Sequence, residues 1–149
     1  MKLDVAVDNA SRYASIPDVA DFRRWARAAL ADAEGEGELS LRIVDEAEGS
    51  QLNRTYRQKS GPTNVLSFPF EAPPGTESKL LGDLVICAPV VGREAREQGK
   101  PEPAHWAHMV VHGIMHLRGY DHDTEEDAER MEGKEREILA RLGYADPYA

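Results

Sequence analysis

Residues 112–122 read HGIMHLRGYDH, and this stretch predicts both the end of a helix and a metal site. His112 and His116 are four residues apart, so on a helix they lie on one face, about 5–6 Å apart at Cβ. Gly119 permits the positive φ that ends a helix and turns the chain back. The turn would bring His122 to the same place. Three histidine ligands with one open position are typical of a catalytic zinc site.

The same spacing occurs in the metzincin proteases, whose motif is H-E-x-x-H-x-x-G-x-x-H. Gly113 stands here where those enzymes carry the glutamate that serves as general base. A glycine side chain cannot accept a proton. The spacing therefore predicts metal binding and leaves a metalloprotease as a remote alternative.

The helix that carries the motif is predicted at about residues 103–118. His105, His108, His112 and His116 fall on a single stripe of that helix. His108 lies one turn before His112, which makes it a candidate either for proton transfer or for a supporting role behind the metal ligands.

A bound zinc ion brings the pKa of a coordinated water to about 7. Because the usual glutamate base is missing, either zinc-bound hydroxide acts more directly or another group assists, and the candidates for that group are His108 and Asp121. Asp121 is next to His122 in sequence. It either orients a ligand histidine, as carboxylates around metal sites often do, or begins the cap of the last helix.

Outward from this stretch, strand and helix patterns alternate along the chain. Their order, βαβαββααα, predicts one α/β (α+β) domain over residues 1–149, with a small mixed four-stranded sheet and about five helices. The predicted elements are a strand at 3–7, a helix from Pro17 to Gly35, a strand at 38–44, a helix from Asp45 carrying Leu52 and Tyr56, strands at 64–68 and 80–87, a helix from Pro89 to Gly99, the helix at 103–118, and a last helix from Thr124 to Gly143.

Two helix caps are predicted from side chains at the right spacing. Asp45 with Glu48 fits a capping box at the second helix. Thr124 with Asp127 fits a cap at the last helix.

Composition places the chain among ordinary globular proteins, since 41% of its residues are hydrophobic and 30% are charged. Cys87 is the only cysteine, so no internal disulfide can form, and we expect it to be buried at a strand end. No apolar run is long enough to span a membrane, and the first residues show neither a basic start nor a cleavage site. We therefore expect a cytoplasmic protein without a membrane partner.

The net charge of −9 argues against strong nonspecific binding to nucleic acid. Arg54, Arg57 and Lys59 nevertheless form a local basic cluster with no acid between them. The forked guanidinium of an arginine suits the oxygens of a phosphate. Spacing alone favours an ordinary surface arginine at position 57 over a functional one.

The stretch HMVVHGIMHLRGYDH resembles the signature of the YbeY family of bacterial rRNA maturation factors, which are regarded as zinc-dependent endoribonucleases of single-stranded RNA. The resemblance covers roughly residues 50–143, and the residues before it fit the family's βαβ start in pattern only. Two further blocks agree with the family: Leu52-Asn53, Tyr56-Arg57, Pro62-Thr63 and Val65–Pro69 form the first, and Gly82-Asp83 the second.

The resemblance implies a fold, a metal site and an activity. The implied ligands of one zinc ion are His112, His116 and His122. Arg57 would be the family's functionally important arginine, and His108 matches a histidine common in the family.

The implied activity is that of a cytoplasmic, metal-dependent endoribonuclease of single-stranded RNA. It would act on the rRNA precursor in 16S maturation and in ribosome quality control, with the small ribosomal subunit as partner. Arg54 and Lys59 are candidates for contacts with the RNA backbone. The attacking group would be either water or the 2′-hydroxyl of the RNA.

A second hypothesis is a ribosome-assembly factor whose zinc site is chiefly structural and whose nuclease activity is slight or absent. The negative charge and the missing general base favour it. One departure from the family bears on both hypotheses, because members usually have aspartate where this chain has Asn64. Asparagine can replace an aspartate that only accepts hydrogen bonds, whereas a lost charge would weaken the positioning of Arg57 or of the metal helix.

Overall fold

The computed structural model describes residues 1–149, and its elements follow the predicted order βαβαββααα. The sequence therefore predicted the fold class correctly. The elements are β1 (Lys2–Asn9), α1 (Val19–Ala29), β2 (Glu36–Val44), α2 (Glu46–Arg57), β3 (Val65–Pro69), β4 (Leu80–Cys87), α3 (Ala88–Gln98), α4 (Glu102–Leu117) and α5 (Glu125–Arg141).

The four strands form one mixed sheet in the order β1-β2-β4-β3. β1 pairs with β2 and β2 pairs with β4 in parallel, while β3 runs antiparallel to β4. β3 is therefore an edge strand, with only one side of its backbone paired within the sheet.

Alternation along β4 divides its side chains between two cores, as a strand covered on both faces requires. Leu84 and Ile86 point into the main core, which includes Trp106 on α4. Val85 and Cys87 point into a smaller core on the opposite face. The Cys87 side chain is only 1% exposed, which confirms the burial predicted for it.

α4 packs closely over β3 and β4 because Gly113 carries no side chain. A Cβ at Gly113 would lie 2.8 Å from Cδ2 of Leu84 and 3.2 Å from Cγ2 of Val65. The Ser67 hydroxyl of β3 also donates to the Gly113 carbonyl at 3.1 Å. This contact fixes how α4 lies against β3 and so where its histidine stripe lies relative to the sheet edge.

The predicted cap of the last helix is confirmed, and the predicted capping box of α2 is wrong. The Thr124 hydroxyl accepts from the Asp127 backbone N–H at 3.0 Å. Asp45 does occupy the N-cap position of α2 but makes no side-chain cap bond, since its carboxylate accepts from Ser11 and Arg12 instead. A tertiary contact has replaced the local one.

α1 is shorter than predicted at both ends. Pro17 lies before the N-cap residue Asp18, and the helix ends at Ala29 rather than near Gly35. At this end Nη1 of Arg118 donates to the Ala29 carbonyl at 3.0 Å and lies 2.8 Å from Oδ1 of Asp32.

None of the helices is both long and apolar enough to cross a membrane.

Candidate metal centre

The end of α4 and the turn after it bring three histidine rings together. Gly119 has φ of +91°, and the backbone N–H of Tyr120 donates to the Met115 carbonyl while that of Gly119 donates to the His116 carbonyl, both at 3.0 Å. These two bonds form a Schellman motif, which needs a left-handed residue where Gly119 stands. The turn carries the chain back across the last turn of α4.

The three rings are those that the spacing singled out. The centroids of His112 and His116 are 4.7 Å apart, those of His116 and His122 are 5.3 Å apart, and those of His112 and His122 are 6.1 Å apart. The structure thus brings the three sequence-predicted ligands to one place.

Hydrogen bonds fix which nitrogen of His116 is free. Its Nδ1 lies 3.1 Å from the Tyr120 carbonyl oxygen, which can only accept, so Nδ1 carries the proton. Burial, followed by the neighbouring His112 and His122, lowers the pKa of His116. The ring is therefore a neutral imidazole whose Nε2 lone pair is available to a metal.

His112 is oriented in the same way by a carboxylate. Its Nδ1 lies 3.0 Å from Oε1 of Glu135 on α5. Burial alone would raise the pKa of Glu135, but hydrogen bonds from His108 and His112 outweigh it and lower that pKa to about 2. The ionised carboxylate accepts a hydrogen bond from Nδ1–H of His112, which leaves Nε2 free. A histidine that donates its second nitrogen to a carboxylate is the usual arrangement around protein-bound zinc.

Glu135 was not identified from the sequence, although a signal for it exists. It lies four residues after Met131 and three before Ile138, on the line that buries α5, and it is 0% exposed. A buried carboxylate requires charged or hydrogen-bonded partners. An acid on the apolar line of a helix next to a histidine stripe therefore indicates a partner for those histidines.

His108 lies behind the candidate ligands rather than beside the open groove. It is 7% exposed, and its Nε2 lies 2.8 Å from Oε1 of Glu135. This position suits support of Glu135 and therefore of His112. The proton-transfer role considered for His108 stays a prediction.

Two groups of side chains bring donor atoms close enough to hold a metal ion. In each group the ligand atoms lie within 4.8 Å of one another, and the groups are His108 with His112 and Glu135, and His116 with Asp121 and His122. In the first group the short distances are N–H···O hydrogen bonds to Glu135, so a metal would have to displace them. The free Nε2 atoms of His112 and His116 favour a site that combines both histidines with His122.

Asp121 lies beside the three rings without contacting a ligand nitrogen closely. Its Oδ1 accepts from the backbone N–H of His122 at 2.7 Å and lies 4.0 Å from Nδ1 of that histidine. Thr124, not Asp121, caps α5. Of the two predicted alternatives, the cap is therefore wrong, and the contact with the His122 backbone is what the structure shows.

A groove of about 680 Å³ opens in front of the three histidines. Arg57 and Lys59 line it together with His112, His116 and His122. The groove joins residues from α2, from the loop after it, and from the end of α4. Arg54, one turn earlier on α2, is exposed but does not line the groove.

Arg57 is held in place by β3. Its Nη2 donates to the Ser67 carbonyl at 2.5 Å, and its guanidinium lies 5.5 Å from the centre of the Phe68 ring. The Tyr56 ring stands edge-on to Phe68 at 5.3 Å. The Phe68 ring and the hydrogen bond to Ser67 hold the Arg57 guanidinium in place and leave its other N–H groups available to a ligand.

Asn64 does not contact Arg57. Its Nδ2 lies 3.2 Å and 3.3 Å from the two carboxylate oxygens of Glu94, and its Oδ1 accepts from the Val65 backbone N–H at 2.7 Å. Glu94 also lies 3.0 Å from Nε2 of His105. An aspartate at position 64 would face the Glu94 carboxylate, so in this chain the amide supplies the donor that this contact needs.

The family model described as Endoribonuclease YbeY matches residues 6–143 of the chain. The chain belongs to the YbeY family. Endoribonuclease YbeY of Alkalilimnicola ehrlichii is 65% identical over 139 residues, which cover 91% of this chain and 84% of that protein. The resemblance predicted from the motifs is thereby confirmed.

The solution structure of TM1509 from Thermotoga maritima superposes with a TM-score of 0.61 and covers 97% of this chain and 98% of its own. Sequence identity is 23%, so this likeness shows the fold alone. It agrees with the single α/β domain expected from the sequence.

Proposed function

We propose that this chain is a metal-dependent endoribonuclease that cleaves single-stranded RNA. The observation that carries the proposal is the groove itself, because Arg57 lines it together with His112, His116 and His122, and the Nε2 atoms of His112 and His116 are free for a metal. The name of the relative from Alkalilimnicola ehrlichii, Endoribonuclease YbeY, supports the same activity. Its place of action would be the cytoplasm, on the rRNA precursor of the small ribosomal subunit, in 16S maturation and quality control.

We assign the metal to Nε2 of His112, Nε2 of His116 and a ring nitrogen of His122. Neutral imidazoles held by second hydrogen bonds fit zinc well, and three protein ligands leave a coordination position open. A zinc ion, when bound, polarises a phosphoryl oxygen and makes a coordinated water more acidic. His108, through Glu135, would keep His112 in the orientation that this assignment needs.

Arg57 would bind the scissile phosphate. Its guanidinium is fixed by the Ser67 carbonyl and the Phe68 ring, so little side-chain entropy is lost when it meets a ligand. Donors that are already aimed at developing charge are worth about 10²–10³ in rate. Arg57 would therefore contribute mainly to kcat.

The groove suits an extended single strand better than a duplex. It runs beside the edge strand β3 and is lined by Lys59 near its α2 side. Lys59 would contact a neighbouring phosphate, and Arg54, outside the groove, would meet the RNA backbone further along. Because the basic area is small and the chain has a net charge of −9, we expect it to contact a short segment of RNA rather than many successive phosphates.

The rival hypothesis, an assembly factor with slight or no nuclease activity, is favoured by one observation. Gly113 faces Leu84 and Val65 of the sheet, so α4 offers no general base at the position that the metzincins use. RNA binding without cleavage in a metal-loaded protein would support this rival over the endoribonuclease.

Cleavage of a labelled single-stranded RNA, with and without a chelator, tests the proposal. We expect chelation or His116→Ala to abolish cleavage, and Arg57→Ala to lower kcat/KM by about 10²–10³. The matched control is Arg96→Ala, an exposed arginine on α3 outside the groove, which should leave cleavage unchanged. Unaltered cleavage by both His116→Ala and Arg57→Ala would overturn the proposal.

A further inference from the structure

The C-terminal tail, Tyr144–Ala149, folds back along α5 and reaches the support of the candidate metal site. The Tyr148 hydroxyl lies 2.9 Å from Oε2 and 3.1 Å from Oε1 of Glu135. The match to the family model ends at residue 143, so this tail lies outside it. The contact thus joins a residue outside the matched stretch, Tyr148, to one inside it, Glu135.

Several contacts hold the tail independently of Glu135. Nζ of Lys100 donates to the Pro147 carbonyl at 2.8 Å, and Nε of Arg136 lies 3.1 Å from both carboxylate oxygens of Asp146. The Arg136 guanidinium also lies 5.3 Å from the centre of the Tyr148 ring. These contacts therefore fix the position of the Tyr148 ring, and its hydroxyl points at the Glu135 carboxylate.

The two oxygens of Glu135 share the Tyr148 hydroxyl but otherwise differ in their partners. Oε1 receives N–H groups from both His108 and His112, whereas the hydroxyl of Tyr148 is the sole partner of Oε2. Burial, then the adjacent Glu135 carboxylate, raises the pKa of Tyr148, so its hydroxyl keeps its proton and remains a donor. Without that hydroxyl, Oε2 of Glu135 would have no hydrogen-bond partner, although the residue is 0% exposed. An unpaired buried acceptor is unfavourable, so the carboxylate would rotate to find another donor.

We propose that Tyr148 is a positioning residue for His112, acting through Glu135. Its hydroxyl holds the carboxylate in the orientation that accepts a hydrogen bond from Nδ1–H of His112 and so keeps Nε2 free for the metal. This inference rests on the metal site of the proposed function. Groups that orient a ligand in this way typically change metal affinity by about 10–100-fold when removed.

Zinc affinity, measured by competition with a chromophoric chelator, tests the inference with a readout other than activity. We expect Tyr148→Phe to weaken zinc binding about tenfold, and removal of residues 144–149 to weaken it at least as much. The matched control is Tyr144→Phe. It makes the same substitution in the same tail, but at a hydroxyl that accepts from Trp25 at 3.3 Å rather than contacting Glu135. Its zinc affinity should equal that of the unaltered protein.

A second readout follows the histidine ring in the metal-free protein. Proton–nitrogen correlation spectra report whether the proton of His112 is on Nδ1. We expect Nδ1–H in the unaltered protein and in Tyr144→Phe, and a loss of that preference in Tyr148→Phe. If Tyr148→Phe does not fold, Arg136→Ala decides, because it loosens the tail without touching Glu135 and should weaken zinc binding in the same direction.

The outcomes separate this inference from the proposed function. If the unaltered protein binds one zinc ion and Tyr148→Phe binds it equally well with the same His112 tautomer, the positioning role is overturned and the metal site stands. If the unaltered protein takes up no stoichiometric zinc, the metal site itself fails, and the inference fails with it.

Discussion

The Nδ1 atom of His116 lies 3.1 Å from the carbonyl oxygen of Tyr120, so the turn after α4 and the metal-facing ring are joined by one hydrogen bond. Gly119 makes that bond possible, because its φ of +91° directs the chain back over the helix end. The glycine of the motif therefore does more than end a helix. It also brings the Tyr120 carbonyl to Nδ1 of His116, and this hydrogen bond leaves Nε2 as the free nitrogen.

Gly119→Ala should lower both stability and zinc affinity. A left-handed alanine costs about 1 kcal/mol or more, and relief of that strain would move the Tyr120 carbonyl away from His116. Gly99→Ala is the matched control, since Gly99 has φ of +64° and, like Gly119, meets nothing within 4 Å of an added Cβ. We expect a similar loss of stability in urea unfolding for both variants, but weaker zinc binding for Gly119→Ala alone. Equal zinc affinity in the two would contradict the role given to Tyr120.

Gly113→Ala and Gly133→Ala should change the free energy of unfolding in opposite directions. An added Cβ at Gly113 would lie 2.8 Å from Leu84, and overpacking of this kind costs about 1–3 kcal/mol. Gly133 is on α5, is exposed, and has open space around it, so alanine should stabilise the helix by about 0.5–1 kcal/mol. Chemical denaturation measures both. Stabilisation by Gly113→Ala would show that α4 does not lie as close to the sheet as described.

Asp32 should give the protein a component of acid sensitivity. Hydrogen bonds from Arg118 and then Lys134 outweigh the effect of burial and lower the pKa of Asp32 from 3.8 to about 2. A carboxyl whose pKa is lower in the folded state contributes stability that is complete above the unfolded value and is lost as pH falls through the folded one.

The urea midpoint of the unaltered protein should therefore fall more steeply than that of Asp32→Asn between about pH 4 and about pH 2. The carboxylate is 46% exposed, so added salt should shrink the difference. Identical pH profiles for the two proteins would remove Asp32 as a source of acid sensitivity.

Cys87 should react slowly with thiol reagents in the folded protein. Burial raises the pKa of its thiol to about 11, and the side chain is 1% exposed. At a pH of about 8, roughly one thiol in a thousand is then ionised, and the thiolate is the reactive form. Labelling should become fast only in denaturant. Rapid stoichiometric labelling of the native protein would contradict the burial of Cys87.

Sequence patterns predicted the order of elements and the three histidines, because both depend on local spacing. The four-residue step from His112 to His116 and the turn at Gly119 are set within a few residues of the chain. Glu135 was missed because the local signal, an acid on the apolar line of α5, does not name its partners, which are set by the packing of α5 against α4. The same holds for Asp45. It occupies the predicted cap position, but its carboxylate accepts hydrogen bonds from Ser11 and Arg12, which are distant in sequence.

The groove could be predicted only in part. The basic cluster around Arg57 was visible in the sequence, but that Arg57 and Lys59 share a groove with the histidines depends on how α2 and β3 pack. The donation of Asn64 to Glu94 likewise depends on the approach of α3 to the start of β3. These contacts join residues far apart in the chain.

Anomalous diffraction at the zinc edge, from crystals of the zinc-loaded protein, would show whether His112, His116 and His122 share one metal ion. We expect one anomalous peak about 2.0–2.1 Å from a nitrogen of each ring, on the groove side of α4. A peak between His108 and Glu135 instead, or no bound zinc at all, would contradict the account.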